Sequence, residues 1–181
     1  PLAIVAHDAG AANILIGWLK ENKNLRFNFC LTGPAIKIFK KEINFENNQN
    51  LESILINSRS LISGTSYKSF HEHNARLIAK KLNIQSIGVI DHWVNYEKRF
   101  IRDEIKILPD KIWVYDDYAE KIAKKIFKQI TIEKKRNFYL ENAVSKINNV
   151  NKINSNIKNI LYILEPIRKN IKDEGSPYEY K

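Results

Sequence analysis

Short apolar runs of strand length alternate along this sequence with segments in which apolar residues recur at helical spacing. After the first run, Ala11, Leu15 and Trp18 fall on one helical face. This alternation predicts an α/β fold, a Rossmann-like parallel sheet with helices on both faces. Strands are expected at 2–6, 25–31, 60–63, 84–90, 111–115 and 130–132, helices at 35–41, 70–82, 118–127 and 138–147, and either element at 51–56.

Three polar pairs carry local predictions. Ser69 and Glu72 have the spacing of a capping box at the start of a helix. Glu72 and Arg76 are four residues apart, which predicts a solvated salt bridge on that helix. Asp116 and its neighbouring aspartate precede a helical segment, so we expect them to cap the helix and not to bind a metal ion.

The composition is that of an ordinary globular protein, with 44% hydrophobic and 28% charged residues in 181. No apolar run approaches the roughly 20 residues of a membrane-spanning helix. The single cysteine, Cys30, lies in an apolar run and allows no internal disulfide, which favours a reducing compartment. The first residues resemble a strand and not a signal peptide, so we expect a cytoplasmic protein.

The formal net charge of +10 would ordinarily suggest a nucleic acid partner. The excess consists of lysines scattered over the backs of predicted helices, in a chain that is also rich in Ile and Asn. No nucleic-acid-binding motif accompanies the charge. Nucleic acid is therefore not an expected partner, and that hypothesis rests on charge alone.

The end of the chain differs from the rest. Residues 148–158 are polar, rich in Asn and without periodicity, which is typical of a linker. A fresh apolar run at 159–164 follows, and then a polar tail. We therefore expect one Rossmann-like domain at 1–147, a linker at 148–158 and the start of a second, incomplete domain at 159–181.

Ligands of open parallel sheets bind beyond the carboxyl ends of the strands, so the loops that follow the strands are the candidate sites. In the first loop His7 is a candidate general base with Asp8 beside it, and Gly10 permits a tight turn and close approach of a ligand. Asn13 completes this segment as a candidate ligand-binding residue. The alternative is that Asp8 caps the following helix and His7 only packs.

The second candidate loop consists of Ser63, Gly64, Thr65 and Ser66. Hydroxyls and backbone donors ahead of a helix are a common way to hold phosphate or sugar hydroxyl groups. The alternative is ordinary helix capping.

The third candidate loop is the most unusual segment of the chain. Asp91 and His92 are candidates for acid-base work or for binding a hydroxylated ligand, Trp93 and Tyr96 for stacking on a sugar or base, and Asn95 for ligand binding.

Five segments together resemble the N-terminal half of a bacterial polysaccharide-biosynthesis protein, of a kind similar to GT-B glycosyltransferases and UDP-N-acetylglucosamine 2-epimerases. They are residues 7–15, 62–66, 91–100, 109–114 and 160–168. The resemblance implies two Rossmann-like domains facing a cleft, the first mainly taking the acceptor and the second most of the nucleotide-sugar. It also implies a base at the end of the first strand, a position that His7 or Asp8 matches, and Glu165 is a further candidate substrate-binding residue.

The function expected from these observations is glycosyl transfer from a nucleotide-sugar to a glycan acceptor in surface polysaccharide biosynthesis. The nucleotide-sugar is a substrate, and neither a separate cofactor nor a metal ion is expected. Two alternatives stay open: a nucleotide-sugar 2-epimerase, and a non-catalytic module that binds a sugar or nucleotide. The sequence predicts no oligomeric state.

Overall fold

The computed structural model of the chain describes residues 1–148. Its strands are β1 (Leu2–Ala6), β2 (Phe27–Leu31), β3 (Ser60–Ser63), β4 (Gln85–Val89), β5 (Ile101–Arg102), β6 (Ile105–Lys106), β7 (Lys111–Val114) and β8 (Thr131–Lys134). Its α-helices are α1 (Ala9–Glu21), α2 (Gly33–Glu42), α3 (Leu51–Ile56), α4 (His71–Lys81), α5 (Asp117–Ile126) and α6 (Phe138–Asn148), with a 3₁₀ turn at Lys98–Phe100.

Six of the strands form one parallel sheet in the spatial order β2-β1-β3-β4-β7-β8. Ile4 of β1 pairs with Phe29 on one side and with Ile62 on the other. The strand order reverses at β1, since the chain passes to β2 on one side and later continues at β3 on the other. The predicted Rossmann-like α/β fold is thus confirmed, and a ligand crevice is expected between the loops that follow β1 and β3.

Helices cover both faces of the sheet. Ile4 and Trp113 belong to the core that α1 and α2 close on one face. Val5 belongs to the core under α3 and α4 on the other face, where Ile112 packs with α5. All five residues of β1 are buried, which is the pattern of a central strand of a parallel sheet. The carboxyl end of β1, at the reversal of strand order, is therefore held in place by a strand on each side and by helices on both faces.

The predicted elements agree with the structure to within a few residues at their ends, and the ambiguous segment 51–56 is a helix. The small antiparallel pair β5–β6 was not predicted. The capping box is wrong: Phe70 is the N-cap of α4 without a side-chain bond, and the Ser69 hydroxyl accepts from the His71 N–H at 3.1 Å.

Cys30 is buried, as expected for a core residue. Within residues 1–148 no helix is both long enough and apolar enough to cross a bilayer. Asn148, the first residue of the predicted linker, ends α6. The rest of that linker and the strand predicted at 159–164 lie outside the described residues.

Candidate functional site at the carboxyl edge of the sheet

Glu72, in the first turn of α4, connects the loops on the two sides of the crevice. Its carboxylate accepts a hydrogen bond from the His7 backbone N–H at 2.9 Å and another from the Ser66 backbone N–H at 3.2 Å. A β-carbon on Gly64 would come within 2.4 Å of Glu72 Oε1 and 2.9 Å of the Ala11 β-carbon. The loops after β1 and β3 are therefore held by one buried carboxylate, and the second loop needs a glycine to approach it.

Arg76 follows one turn later on α4, and both it and Glu72 are fully buried. The Arg76 guanidinium donates to the Ser63 hydroxyl at 3.2 Å and to the Gly64 carbonyl at 3.0 Å. Burial raises the pKa of Glu72 to about 7 and lowers the pKa of Arg76 to about 10. The prediction of a solvated salt bridge is wrong, because both side chains are buried. Backbone groups of the site loops take the place of water as their hydrogen-bond partners.

The hydroxyl groups of the loop after β3 have partners inside the protein. The Ser63 hydroxyl is bonded to Arg76, and the Thr65 hydroxyl donates to the Val89 carbonyl at 2.7 Å. The Ser66 hydroxyl accepts from two backbone N–H groups that follow it. All three side chains are buried. These hydroxyls therefore fix the shape of the loop, and binding of a ligand by them stays a prediction.

Asp91 follows β4 and pairs with Arg99, whose guanidinium donates to Asp91 Oδ1 at 2.7 Å. Arg99 also donates to the Thr65 carbonyl and hydroxyl, each at 3.3 Å, and to the Val94 carbonyl at 3.1 Å. The second oxygen of Asp91 lies over Gly10, where a β-carbon would come within 1.8 Å of it. The Asp91 carboxylate is thus fixed at the start of α1, with 18% of the side chain exposed.

His7 follows β1 and packs against the loop after β2. Its Nδ1 lies 2.9 Å from Thr32 Oγ1. Gly33 has a φ of +52°, and a β-carbon there would come within 2.5 Å of His7 Cε1. His7 Nε2 is 3.9 Å from Asp8 Oδ1, and Asp8 occupies the N-cap position of α1 without a side-chain cap bond. The imidazole is therefore oriented from one side, with a carboxylate near its second nitrogen.

An exposed aromatic cluster lies where β4 and β7 end. The rings of Trp93 and Tyr118 meet edge to face at 6.1 Å, with 54% and 63% of the residues exposed. The Trp93 indole N–H donates to Asp116 at 2.8 Å, and the other Asp116 oxygen accepts from the Ala119 N–H at 2.7 Å. This second bond confirms the predicted cap of α5. The His92 ring lies 5.8 Å from that of Trp93.

Tyr96 and Asn95 do not join this cluster. Tyr96 is only 3% exposed, stacks on Phe127 and donates its hydroxyl to a backbone carbonyl of α5. Burial raises the pKa of the Tyr96 hydroxyl to about 12. The expectation that Tyr96 stacks on a ligand is corrected, and Tyr118 is the ring beside Trp93. Asn95 is exposed in a left-handed turn with φ +61°, where its carbonyl accepts from the Arg99 N–H.

The other predicted site residues are distributed as follows. Gly10 lies in the first turn of α1 against Asp91. Asn13 lines a groove of about 500 Å³ between α1 and α6, together with Gly17 and Tyr139. Glu165 lies outside the described residues. Among residues 1–148, no three His, Cys, Asp or Glu side chains are grouped to hold a metal ion.

The structure therefore brings His7, Asp8, Asp91, His92 and Trp93 to the carboxyl edge of the sheet. It adds Thr32, Glu72, Arg99 and Tyr118, which sequence reasoning did not assign to the site. Arg99 had a signal, since it lies in the same unusual segment as Asp91. Glu72 had only the spacings of a capping box and of a salt bridge, and neither spacing tells a buried carboxylate from an exposed one.

No protein-family model matches the chain, and no curated protein matches it by sequence. Two solved structures have a similar fold. The structure of S. aureus MnaA with UDP has a TM-score of 0.59 and 12% identity, over 95% of this chain and 51% of that chain. The structure of UDP-GlcNAc 2-epimerase from Neisseria meningitidis bound to UDP-GlcNAc has a TM-score of 0.53 and 10% identity, over 99% and 54%.

Likeness at this identity shows the fold alone. It places the described part of the chain among Rossmann-like α/β domains of the type found in those two proteins. The chain spans about half the length of each of them.

Proposed function

We propose that the carboxyl edge of this sheet binds the sugar part of a nucleotide-sugar, and that the chain is the acceptor-side half of an enzyme acting on it. One observation carries the proposal: an oriented histidine and two carboxylates lie around the start of α1, at the reversal of strand order, and an exposed aromatic pair follows β4 and β7 farther along the same edge. Such a set suits a sugar, because carboxylates accept from its hydroxyls and aromatic rings cover its apolar face. The fold is similar to two solved structures that hold UDP or UDP-GlcNAc.

The reaction proposed first is glycosyl transfer. An acceptor hydroxyl oxygen bonds to the anomeric carbon of the sugar, the bond from that carbon to the diphosphate breaks, and the hydroxyl proton passes to a base. His7 is the proposed base. When its Nδ1–H donates to Thr32 Oγ1, Nε2 is free to take the proton, and Asp8 at 3.9 Å stabilises the imidazolium that forms.

The nature of the acceptor is the second part of this proposal. The resemblance of the strand-end loops to a polysaccharide-biosynthesis protein supports a glycan acceptor and a place in cytoplasmic assembly of surface polysaccharide. The Trp93–Tyr118 pair is the proposed contact for a sugar ring, since both rings are exposed and Asp116 fixes the indole.

A 2-epimerase is the second candidate, favoured by the likeness to the Neisseria meningitidis enzyme. The products separate the two reactions. Glycosyl transfer releases UDP and links the sugar to an acceptor, whereas 2-epimerisation inverts C2 of the sugar. Binding without either product would instead support a non-catalytic module.

Saturation-transfer NMR on the 181-residue chain tests the proposal, with UDP-GlcNAc, UDP and GlcNAc as separate probes. We expect transfer to the sugar protons of UDP-GlcNAc. Trp93→Ala should weaken binding by about tenfold or more, the size of one lost stacking contact. Tyr139→Ala is the matched control, because Tyr139 is an exposed aromatic residue on α6. Absence of transfer to all three probes at millimolar concentration contradicts the proposal.

A further inference from the structure

The start of α1 is where a fold of this kind ordinarily offers a place for an anion. The N–H groups of a first helical turn lack partners within the helix, and the helix dipole favours negative charge there. In this chain the first turn contains no acidic residue, and Asp8 at the N-cap makes no side-chain cap bond. A carboxylate from another loop lies against this turn: a β-carbon on Gly10 would come within 1.8 Å of Asp91 Oδ2.

Arg99 fixes the carboxylate in this place. It donates to Asp91 Oδ1 at 2.7 Å, and only 9% of the Arg99 side chain is exposed. Its bonds to Thr65 and Val94 do not involve Asp91. The guanidinium is therefore held independently of the carboxylate, and we expect it to keep its position when the carboxylate is removed.

We propose that Asp91 determines specificity at this edge: its carboxylate occupies the anion position at the start of α1, so the edge binds uncharged sugar hydroxyls and excludes phosphate. A fixed carboxylate accepts hydrogen bonds from hydroxyl groups and repels a phosphate brought to the same place. Asp8, at the N-cap of α1, adds a second carboxylate at the start of this helix. The diphosphate of a nucleotide-sugar is then held by groups other than the first turn of α1.

The inference rests on the proposed function only in naming a sugar as the neutral ligand. The exclusion of phosphate follows from the geometry of Asp91, Arg99 and Gly10. It can therefore be tested with inorganic phosphate and without a nucleotide-sugar.

The experiment is a phosphate titration of the full 181-residue chain, followed through the backbone amide resonances of Gly10 and Ala11. In the wild type we expect no saturable shift of these amides. Asp91→Ala removes the carboxylate that lies against the first turn of α1 and leaves the Arg99 guanidinium without its anionic partner, so we expect saturable binding at least about tenfold tighter than in the wild type. Added chloride should weaken this binding, because it is electrostatic.

Two further variants make the result decisive. Asp91→Ser vacates the same position with a small polar residue and serves if Asp91→Ala folds poorly. Asp117→Ala is the matched control, since it removes an aspartate from the first turn of α5, where Asp116 caps the helix and remains. This control should gain no phosphate binding at Gly10.

Saturable phosphate binding at Gly10 in the wild type overturns the inference, and this arm needs no variant. Failure of folded Asp91→Ala and Asp91→Ser chains to gain phosphate binding overturns it as well. Neither result bears on saturation transfer from UDP-GlcNAc, so failure of this inference and failure of the proposed function are separate observations.

Discussion

Two groups of charged side chains in this chain differ in where their partners lie. At the carboxyl edge, Glu72, Arg76 and Arg99 are buried and bonded largely to the backbone and hydroxyl groups of the loops after β1, β3 and β4. Along the outer strands β7 and β8, Lys111 pairs with Glu133 at 2.8 Å while both side chains remain partly in water. The first group fixes the position of loops, and the second joins side chains on a surface.

The difference shows which charges build the candidate site. Hydrogen bonds from Lys111 and Lys135 lower the pKa of Glu133 to about 2, yet exposed ion pairs contribute little to stability. A buried charge that loses its partner is costly, because water does not replace that partner. The site therefore depends on a few buried charges and not on the net charge of +10.

The largest expected effect comes from Arg76→Ala. The substitution leaves Glu72 buried without its nearby cation and removes the donor to Ser63 and Gly64. We expect the free energy of unfolding, measured in urea, to fall by about 3–5 kcal/mol. Lys111→Ala is the control and should cost at most about 1 kcal/mol. Equal losses in the two variants would remove the distinction between the groups.

The second effect is a pH dependence that comes from Glu72. Its pKa is raised to about 7 in the fold from an ordinary 4.5, so between these values the folded chain binds more protons than the unfolded one. Stability from this group therefore falls as pH rises from about 4.5 to about 7, by at most about 1.4 kcal/mol per pH unit, and is constant above.

The difference between the wild type and Glu72→Gln, measured by urea unfolding across this pH range, isolates that slope. Burial lowers the pKa of His71 and of His73, which makes stability rise with pH in the same region in both chains. Glu72→Gln should therefore lack only the falling component. An identical pH profile in the two chains would show that Glu72 does not titrate in this range.

A smaller loss of stability is expected from Gly33→Ala, which tests whether a backbone position, and not only a buried charge, fixes the candidate site. Gly33 is left-handed and packs on the His7 ring, so alanine there should cost about 1–3 kcal/mol and displace the ring resonances of His7. Asn83→Gly is the matched control, since Asn83 is also left-handed, with φ 55°, but follows the far end of α4. Its substitution should leave the His7 resonances in place.

The smallest effect is expected from Lys134→Ala. Lys134 bonds to Asp117 on the surface, and this bond raises the pKa of the lysine while both groups stay in water. We expect no measurable change in the urea midpoint and none in ligand binding. A loss comparable to that of Arg76→Ala would make the exposed pair structural.

Much of the fold could be predicted because it depends on periodicity. The bounds of β1 and β3 were predicted to the residue, since apolar runs flanked by polar loops mark buried parallel strands. The pair β5–β6 could not be predicted, because each strand has only two residues and carries no pattern.

The candidate site was predictable in place but not in detail. The rule for parallel sheets selects the loops that contain His7 and Asp91 from the sequence alone. The rule does not show that the Ser63 hydroxyl bonds to Arg76 and the Thr65 hydroxyl to the β4 backbone, because those partners are distant in sequence. The sequence likewise does not show that Tyr96 packs on Phe127 while Tyr118 lies beside Trp93, because these partners are also distant in sequence.

The three tryptophan indole N–H resonances test most directly the proposed binding of a nucleotide-sugar at the carboxyl edge of the sheet. Trp93 donates to Asp116 at this edge, Trp113 donates to Glu133 on β8, and Trp18 lies in the core side of α1. On titration with UDP-GlcNAc we predict a saturable shift of the Trp93 indole and of the His7 ring, with Trp18 and Trp113 unchanged. Shifts confined to Asn13 and the α1–α6 groove, or no shift at all, would contradict the account.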